Sequence, residues 1–445
     1  MSEFHEAQQR DLILFVGGTR DEAGAVVVAY EAKYKKMVKA LYMGNTRSKD
    51  FAVKASAQYR RKIIELPLEF RKLDAAAISK ALKPYSDRLL AATCSREYNI
   101  RTYKKIVPHI PYLFAPTQES LDWATDKVEM RKRIREHAPE ISPKFMLVED
   151  MRESTLKRVE KNIQFPLVVK PAGLAASKHV TICYYREEFE KSLKQVMTSL
   201  KKLYAERERE DKPKVLVEEF MDGSMYSIDA YVNARGYVYH CPPVYVKTGA
   251  MIGFDDFFGY SRILPVQLKE HRVDDANRAV TDAIHALGLR NVTCHVELMR
   301  TEDGWKIIEI GPRMGGYRPK MYQLSYGIDH LLNDVLIRVP QKPIIKKRPR
   351  KTVAVLQFFA RKEGVLEVIE GIKKIPKLES YQALDIKLKK GDMCKFAKNG
   401  GSSVFDVTLA HKERSQVLAD IRRMEKSIDI KVVRPKVVKS ATAKR

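Results

Sequence analysis

Two glutamates at matching positions of neighbouring apolar segments have the type and spacing of a metal site. Between Glu297 and Glu309 stand the turn-forming residues 301–304 (Thr-Glu-Asp-Gly), which predict a β-hairpin. Both glutamates have the same parity among alternating apolar neighbours, so both side chains can face one side of the sheet. Two carboxylates held close together repel each other unless a cation joins them, and hard oxygen ligands suit Mg²⁺ that bridges phosphates. One buried carboxylate is often only a paired structural group, but two, followed by residues 312–316 (Pro-Arg-Met-Gly-Gly), indicate a metal site.

A lysine at the end of another apolar segment has the setting of a phosphate-binding group. Residues 168–171 (Val-Val-Lys-Pro) lead into the small-residue loop 172–177 (AGLAAS). The ammonium of Lys170 would lie beside backbone N–H groups, which together supply what a phosphate chain needs. A lysine at a strand end is usually a solvated cap, so this segment indicates phosphate binding only together with other segments.

A third segment ends in acidic residues before a turn. Residues 215–223 read VLVEEFMDG. A strand that breaks at a turn leaves backbone N–H and C=O groups unpaired, and the edge of a purine can bind to them. A glutamate side chain or carbonyl can accept a hydrogen bond from an adenine amino group. Taken alone, the pattern is more typical of an exposed acidic strand end before a turn.

The elements that must position these residues alternate between strands and helices. A buried strand over residues 11–18 ends in glycines and is followed by a helical stretch over residues 22–41, which is how an α/β unit begins. The alternation continues to about residue 120, with a strand at 62–66, a helix at 73–82 and a strand at 88–93. Further along, the sequence predicts helices over 122–137, 186–210 and 274–287, and strands over 145–148, 165–171, 179–184 and 214–220.

The last hundred residues read as a separate small unit. Residues 341–351 are rich in proline and charge and predict a linker. The elements predicted after it are a strand (353–359), a helix (365–373), two strands (383–388 and 404–409), a helix (413–427) and a strand (428–433). This β-α-β-β-α-β order is that of a ferredoxin-like unit.

Taken in order, the segments over roughly residues 120–340 resemble the ATP-grasp superfamily. The resemblance rests on Asp126-Lys127, on residues 168–171 and 215–223, and on Glu297 twelve residues before Glu309. Residues 295–316 look especially like the carboxylate–amine ligases that join amino acids into dipeptides. The resemblance implies an α/β and α+β protein with the ATP-grasp fold. The implied domains are a Rossmann-like pre-grasp domain (1–120), an ATP-grasp domain whose two α+β subdomains enclose ATP (121–340), the basic linker (341–351), a small ferredoxin-like C-terminal domain (352–433) and a basic tail (434–445).

The resemblance also implies roles for individual residues. The implied ligands are ATP and Mg²⁺, with Mn²⁺ as an alternative ion. Lys127 and Lys170 would hold the α- and β-phosphates, and Ser177 would lie in the loop that closes over them. Adenine would be bound by Glu218, by the carbonyl of Glu219 and by the N–H of Met221, the metal by Glu297 and Glu309, and Arg313 would stabilise the phosphorylated intermediate. Two positions depart from the pattern. Met225 stands where related sequences often have a glutamate that binds ribose, and Gly311 stands where many have an asparagine that binds the metal.

The implied function is an ATP-dependent ligase that joins a carboxylate to an amine through an acyl phosphate, with amino acids as substrates. A ligase that modifies a peptide or protein tail, and an ATP-binding regulator without turnover, are the alternatives. Substrate contacts are expected from Gly315, Gly316 and Arg318, although Arg318 could simply cap the hinge. Residues 251–260 are either a substrate lid, with Asp255 or Asp256 taking an amino group, or a packed aromatic hairpin. We expect His295 to be a core histidine rather than an acid or base.

Composition narrows the class of protein. The formal charge of +26 is spread along the chain without a nucleic-acid-binding motif, so it favours a solvated surface over a nucleic-acid partner. No run of eighteen apolar residues is present, and the five cysteines are scattered. We therefore expect a cytoplasmic protein with free thiols and no membrane partner. The resemblance implies small-molecule carboxylate and amine substrates. A homodimer is left open.

Overall fold

The computed structural model describes residues 10–172, 180–206 and 214–434, with only the backbone described at 203–206. The chain divides into two compact units. The first unit comprises Met1–Pro143, Met221–Pro243 and Gln267–Arg348, and the second comprises Lys144–Phe220, Val244–Val266 and Pro349–Arg445. None of the described helices has the length and hydropathy that a membrane crossing requires.

Strands and helices are numbered here in chain order. The strands are β1 (Leu12–Val16), β2 (Lys39–Asn45), β3 (Ile63–Leu68), β4 (Leu89–Thr93), β5 (Phe145–Val148), β6 (Leu167–Pro171), β7 (Thr181–Cys183), β8 (Val215–Glu219), β9 (Ser224–Val232), β10 (Val238–His240), β11 (Val244–Thr248), β12 (Gly259–Leu264), β13 (Val292–Thr301), β14 (Gly304–Gly311), β15 (Thr352–Phe358), β16 (Gly364–Glu370), β17 (Tyr381–Ile386), β18 (Met393–Cys394), β19 (Phe405–His411) and β20 (Asp429–Val433). The helices are α1 (Arg20–Tyr34), α2 (Lys49–Ala52), α3 (Ala75–Leu82), α4 (Ile100–Ile106), α5 (Gln118–Thr125), α6 (Lys127–His137), α7 (Glu153–Asn162), α8 (Arg186–Glu206), α9 (Glu270–Ala286), α10 (Arg318–Tyr326), α11 (His330–Leu336) and α12 (Arg414–Ser427).

A parallel sheet begins the first unit, with the strand order β3-β2-β1-β4. All five residues of β1 are buried, as the apolar run predicts. The helix that follows is shorter than the sequence indicates. It begins after a capping box formed by Thr19 and Glu22 and ends at Tyr34. The predicted continuation to residue 41 is wrong because residues from 39 onward pair with β1, and sheet pairing outweighs local helical preference there.

The stretch predicted as one helix over residues 122–137 is two helices, α5 and α6. They are separated at Asp126, whose carboxylate accepts hydrogen bonds from the N–H groups of Val128 and Glu129. A side chain that caps a new N-terminus starts a helix at that point. The break places Lys127 at the first position of α6.

The first unit also contains the antiparallel strands β14-β13-β9, with β10 paired to β9. Strands β13 and β14 form the hairpin predicted from the turn residues, with Thr301 paired to Gly304. Strand β13 is central in this group, and its first five residues are buried.

The second unit holds two further groups of strands. In the first group, β5-β8-β6-β7 form an antiparallel sheet whose core includes apolar residues of α7 and α8. In the second group, β11-β12-β15-β19-β17 are antiparallel neighbours, and α12 shares their core. A small sheet of order β18-β16-β20 completes the unit.

One predicted helix of the C-terminal part is wrong. Residues 364–370 form β16, which pairs with β18 and β20, instead of a helix over 365–373. Val365, Val368 and Ile369 are β-branched, and such side chains pack well on a pleated sheet when partner strands are available. The β-α-β-β-α-β order expected for this part is therefore not the order found, although the mixed α/β class holds.

Candidate functional site

The two glutamates singled out from the sequence face each other in the first unit. Glu297 and Glu309 are direct partners in the antiparallel ladder of β13 and β14, so their side chains share one face, as their parity predicts. Directly opposed residues have Cβ atoms roughly 4.5–5.5 Å apart. Their side chains are 35% and 39% exposed, so both carboxylates are accessible to solvent. Two opposed, half-exposed carboxylates on a rigid hairpin suit a hard divalent cation.

Lys127 joins this pair from the N-terminus of α6. Its Nζ lies 2.6 Å from Glu309 Oε1. Helix α6 is fixed against the hairpin by Arg131, whose side chain is fully buried and donates a hydrogen bond to the carbonyl of Ile308 at 2.7 Å. The cap at Asp126 and the anchor at Arg131 therefore determine where the Lys127 ammonium lies.

Arg313 follows β14 and binds a carboxylate from the loop after β4. Its Nε donates to Glu97 Oε2 at 2.7 Å, and one terminal nitrogen donates to the Met314 carbonyl at 2.9 Å. A Cβ at Gly311 would lie 3.3 Å from both the Arg313 Cζ and Glu97 Oε2. This contact is tighter than side chains normally make, so the departure at Gly311 leaves room for the Arg313–Glu97 pair.

A buried carboxylate that the sequence analysis missed lies in the strand next to the hairpin, opposite His295. Asp229 in β9 is fully buried and accepts hydrogen bonds from His295 Nδ1 (2.6 Å), His330 Nε2 (2.8 Å) and the Gly315 N–H (2.8 Å). Burial by itself raises the pKa of Asp229, but the charges and hydrogen bonds of His295 and His330 outweigh it and hold the pKa well below its usual range. A lone acid within the apolar run of β9 was the available signal.

His295 links this buried carboxylate to Glu297. The imidazole is 7% exposed, and its Nε2 lies 3.4 Å from Glu297 Oε1. The expected core histidine is therefore buried and hydrogen-bonded, and it also contacts a carboxylate of the opposed pair. This contact connects Glu297 to the buried carboxylate of Asp229 through a single side chain.

The two glycines after Met314 differ in their surroundings. A Cβ at Gly315 would lie 2.6 Å from Arg318 Cγ and 2.7 Å from His295 Nδ1, whereas nothing lies within 4 Å of one at Gly316. Arg318 is 2% exposed and donates to Ser227 Oγ at 2.5 Å. Gly315 thus allows a close approach of three elements, and Arg318 is held inside the first unit. Substrate contacts by these three residues stay a prediction.

The second unit contains a separate ion pair between Lys170 and Glu218. Strands β6 and β8 are neighbours, and Lys170 Nζ donates to Glu218 Oε2 at 2.6 Å. Lys170 is 9% exposed and Glu218 is 2% exposed. The solvated-cap and exposed-strand-end interpretations of these two residues are therefore wrong, because both charges are buried and paired.

The remaining predicted nucleotide contacts are Glu219, Met221 and Ser177. The Glu219 N–H donates to the Lys144 carbonyl at 3.0 Å, which fixes the end of β8. Met221 is half-buried and belongs to the first unit. Ser177 lies outside the described residues.

The segment 251–260 is packed within the second unit. Asp256 is 3% exposed and accepts a hydrogen bond from the Lys398 N–H at 3.0 Å, and burial raises the pKa of its carboxyl. Asp255 is exposed and pairs with the Lys398 ammonium at 2.5 Å. Phe254 and Phe258 meet edge to face at 5.2 Å. This packing favours the aromatic-hairpin interpretation, and substrate binding by either aspartate stays a prediction.

Parts of the amino-acid sequence are similar to a known domain family and to known proteins. Residues 163–319 match the model of the ATP-grasp domain. An uncharacterized protein of Sinorhizobium fredii, y4rH, is 25% identical over 277 residues, covering 61% of this chain and 54% of that protein. Carnosine synthase 1 of Gallus gallus is 30% identical over 127 residues, covering 26% of this chain and 14% of that protein. The chain thus spans about half or less of the length of these curated relatives.

The structural comparison covers nearly the whole chain. The L-amino acid ligase from Bacillus licheniformis superimposes with a TM-score of 0.75 at 17% identity, over 96% of this chain and 99% of that one. At this identity the similarity establishes the fold. The chain therefore contains an ATP-grasp domain over residues 163–319 and has the ATP-grasp fold.

Proposed function

We propose that this protein is a Mg-ATP-dependent ligase that joins a carboxylate to an amine, with amino acids as substrates. The observation that carries the proposal is the opposed pair Glu297 and Glu309, with the Lys127 ammonium 2.6 Å from Glu309. Two carboxylates beside a lysine are the donor set for a metal-bound phosphate chain. The ATP-grasp domain and the resemblance to a protein named as an L-amino acid ligase support this assignment.

The proposed reaction has two steps. A substrate carboxylate oxygen attacks the γ-phosphorus of ATP, the bond to the β,γ-bridging oxygen breaks, and an acyl phosphate and ADP result. The amine nitrogen then attacks the acyl carbon, phosphate leaves and the amine loses a proton, so that an amide forms. The first step needs little covalent work from the protein, and positioning with charge neutralisation supplies most of the catalysis.

The first unit would neutralise the phosphates. A phosphate oxygen bound beside Glu309 would meet the Lys127 ammonium, because the cap at Asp126 fixes that lysine there. Arg313 would add a planar guanidinium whose orientation Glu97 sets through its contact with Nε. Mg²⁺, held by Glu297 and Glu309, would supply further positive charge for the phosphates.

The second unit would contribute Lys170 to the phosphates and the end of β8 to adenine. Glu218 has one carboxylate oxygen that accepts from Lys170, and its other oxygen is assigned to the adenine amino group. The carbonyl of Glu219 and the N–H of Met221 complete the assignment. Ser177, the substrate contacts at Asp255, Asp256, Gly315, Gly316 and Arg318, and the five-part domain division expected from the sequence belong to the same proposal.

The proposal is tested by phosphate release. The purified protein is incubated with Mg-ATP and a mixture of the twenty amino acids, beside the Glu309→Ala variant. Amino-acid-dependent release of phosphate that is lost in the variant is the expected result, and omitting amino acids one at a time identifies the substrates. ATP binding without release would contradict the amino-acid assignment and favour a peptide substrate. Absence of ATP binding would overturn the proposal altogether.

A further inference from the structure

The second unit contains a cavity whose wall includes part of segment 251–260 but neither Asp255 nor Asp256. It has a volume of about 370 Å³, within the roughly 300–1,000 Å³ typical of small-molecule sites. Five aromatic residues line it: Phe254, Phe258, Tyr260, Phe358 and Phe359. None of the residues assigned to ATP or metal lines it.

The aromatic wall is held in place by contacts among its own members. The rings of Phe258 and Phe359 have centroids 4.1 Å apart, and Phe254 meets Phe258 edge to face at 5.2 Å. Tyr260 packs against Phe358 at 5.9 Å, and its hydroxyl donates to Glu425 Oε1 at 3.0 Å. These contacts order the apolar surface before any ligand binds, which lowers the entropic cost of binding.

Charged side chains of both signs line the same cavity. Lys247 and Arg361 are the cations, and Glu425 and Asp429 are the carboxylates. The Arg361 guanidinium lies 4.8 Å from the Phe254 ring centroid, and the Lys247 ammonium lies 5.9 Å from that of Tyr260. Within the part of the chain that the structure describes, none of the four forms an ion pair within 4.0 Å. An aromatic cavity lined by two cations and two carboxylates can bind the carboxylate and the ammonium of a zwitterion.

We propose that this cavity binds a free amino acid with an apolar or aromatic side chain. The side chain packs against Phe254, Phe258 and Phe359, the carboxylate meets Lys247 and Arg361, and the ammonium meets Glu425 and Asp429. The inference does not depend on the proposed ligase activity, because the binding requires neither ATP nor metal.

Calorimetric titration of the whole protein without ATP or Mg²⁺ tests the proposal. The probes are L-phenylalanine, 3-phenylpropionate, which lacks the ammonium, and 2-phenylethylamine, which lacks the carboxylate. L-Phenylalanine is expected to saturate, and each analogue should bind at least about 10-fold more weakly, because each lacks one charged group and the hydrogen bonds that this group would make. Equal binding of either analogue would overturn the zwitterion assignment, and so would the absence of saturable phenylalanine binding up to about 10 mM.

Variants locate the bound amino acid. Arg361→Gln and Lys247→Gln should each weaken phenylalanine binding about 10-fold. Lys362→Gln, at the exposed neighbour of Arg361 outside the cavity wall, should leave it unchanged. Thermal melting of each variant checks that the fold is kept. Unchanged affinity in both cavity variants would overturn the proposal. Glu309→Ala should lose phosphate release but keep phenylalanine binding, so failure of the ligase proposal and failure of this one are distinguishable.

Discussion

Lys127 Nζ donates to Glu309 Oε1 at 2.6 Å, joining the first residue of α6 to the second strand of the β13–β14 hairpin. The lysine side chain is 14% exposed and the glutamate side chain is 39% exposed. This contact brings a cation from one segment to a carboxylate that lies 182 positions later in the printed sequence. Glu309 therefore has two charged neighbours, Lys127 and the opposed carboxylate of Glu297.

Removal of this carboxylate should abolish most ligase turnover. Glu309→Ala removes one of two opposed charges, and loss of a preorganised transition-state group typically costs about 100- to 1,000-fold in rate. Phosphate release at saturating Mg-ATP measures the effect. Glu302→Ala, in the exposed turn of the same hairpin, serves as the matched control and should keep normal turnover. Near-normal activity of Glu309→Ala would show that this residue has been wrongly assigned.

Arg313→Lys should also be severe despite keeping the positive charge. The guanidinium donates through Nε to Glu97 and through a terminal nitrogen to the Met314 carbonyl, and a single ammonium cannot reproduce that planar fork. We expect at least a ~100-fold loss of acyl-phosphate formation, measured by hydroxylamine trapping. Arg272→Lys, at an exposed position of α9, is the control. Acyl-phosphate formation at the normal rate would contradict the role given to Arg313.

The buried pair Lys170 and Glu218 should matter for stability as well as for nucleotide binding. Lys170→Ala leaves Glu218, at 2% exposure, without the countercharge that lies 2.6 Å away. Breaking a buried pair in this way typically costs about 3–5 kcal/mol in the free energy of unfolding. Urea denaturation measures the loss. Lys157→Ala, which removes the exposed pair with Glu153, should lower the free energy of unfolding far less, because solvent screens that pair. Similar losses in the two variants would argue against the burial of this pair.

Adjacent glycines offer a sharp steric test. Gly315→Ala places a Cβ within 2.7 Å of Arg318 and His295, and overpacking of this kind typically costs about 1–3 kcal/mol. Gly316→Ala meets no atom within 4 Å and should change stability by less than about 0.5 kcal/mol. The difference in denaturation midpoint between the two variants is the measurement. Equal midpoints would mean that the turn relaxes freely at both positions.

The five cysteines should be unreactive in the folded protein. All are buried, and burial raises the pKa of the Cys94 thiol to about 12 and that of Cys183 to about 11. Only the thiolate reacts quickly, and a raised pKa keeps the neutral thiol dominant at pH 8. A thiol-specific reagent at pH 8 should therefore label none of them rapidly, and all five after unfolding in guanidinium chloride. Rapid native labelling of one cysteine would show that its segment opens readily.

Local patterns in the sequence predicted the elements that carry the site. The turn residues 301–304 and the equal parity of Glu297 and Glu309 were enough to predict a hairpin with both carboxylates on one face, because antiparallel register fixes side-chain direction. The ATP-grasp resemblance rested on the same short segments. Where a segment's state depends on a strand from elsewhere in the chain, local pattern failed, as at residues 39–41 and 364–370.

The sequence by itself therefore determined the β13–β14 hairpin, its opposed glutamates and the order of the ATP-grasp segments, since these depend on neighbours a few residues apart. Only the tertiary structure decided which charged groups are paired. The ion pairs Lys127–Glu309, Lys170–Glu218 and Arg313–Glu97, and the bonds from His295 and His330 to Asp229, join residues from separate elements. Periodicity carries no information about such partners, because a buried charge is stabilised by whichever opposite charge the fold brings within hydrogen-bond distance.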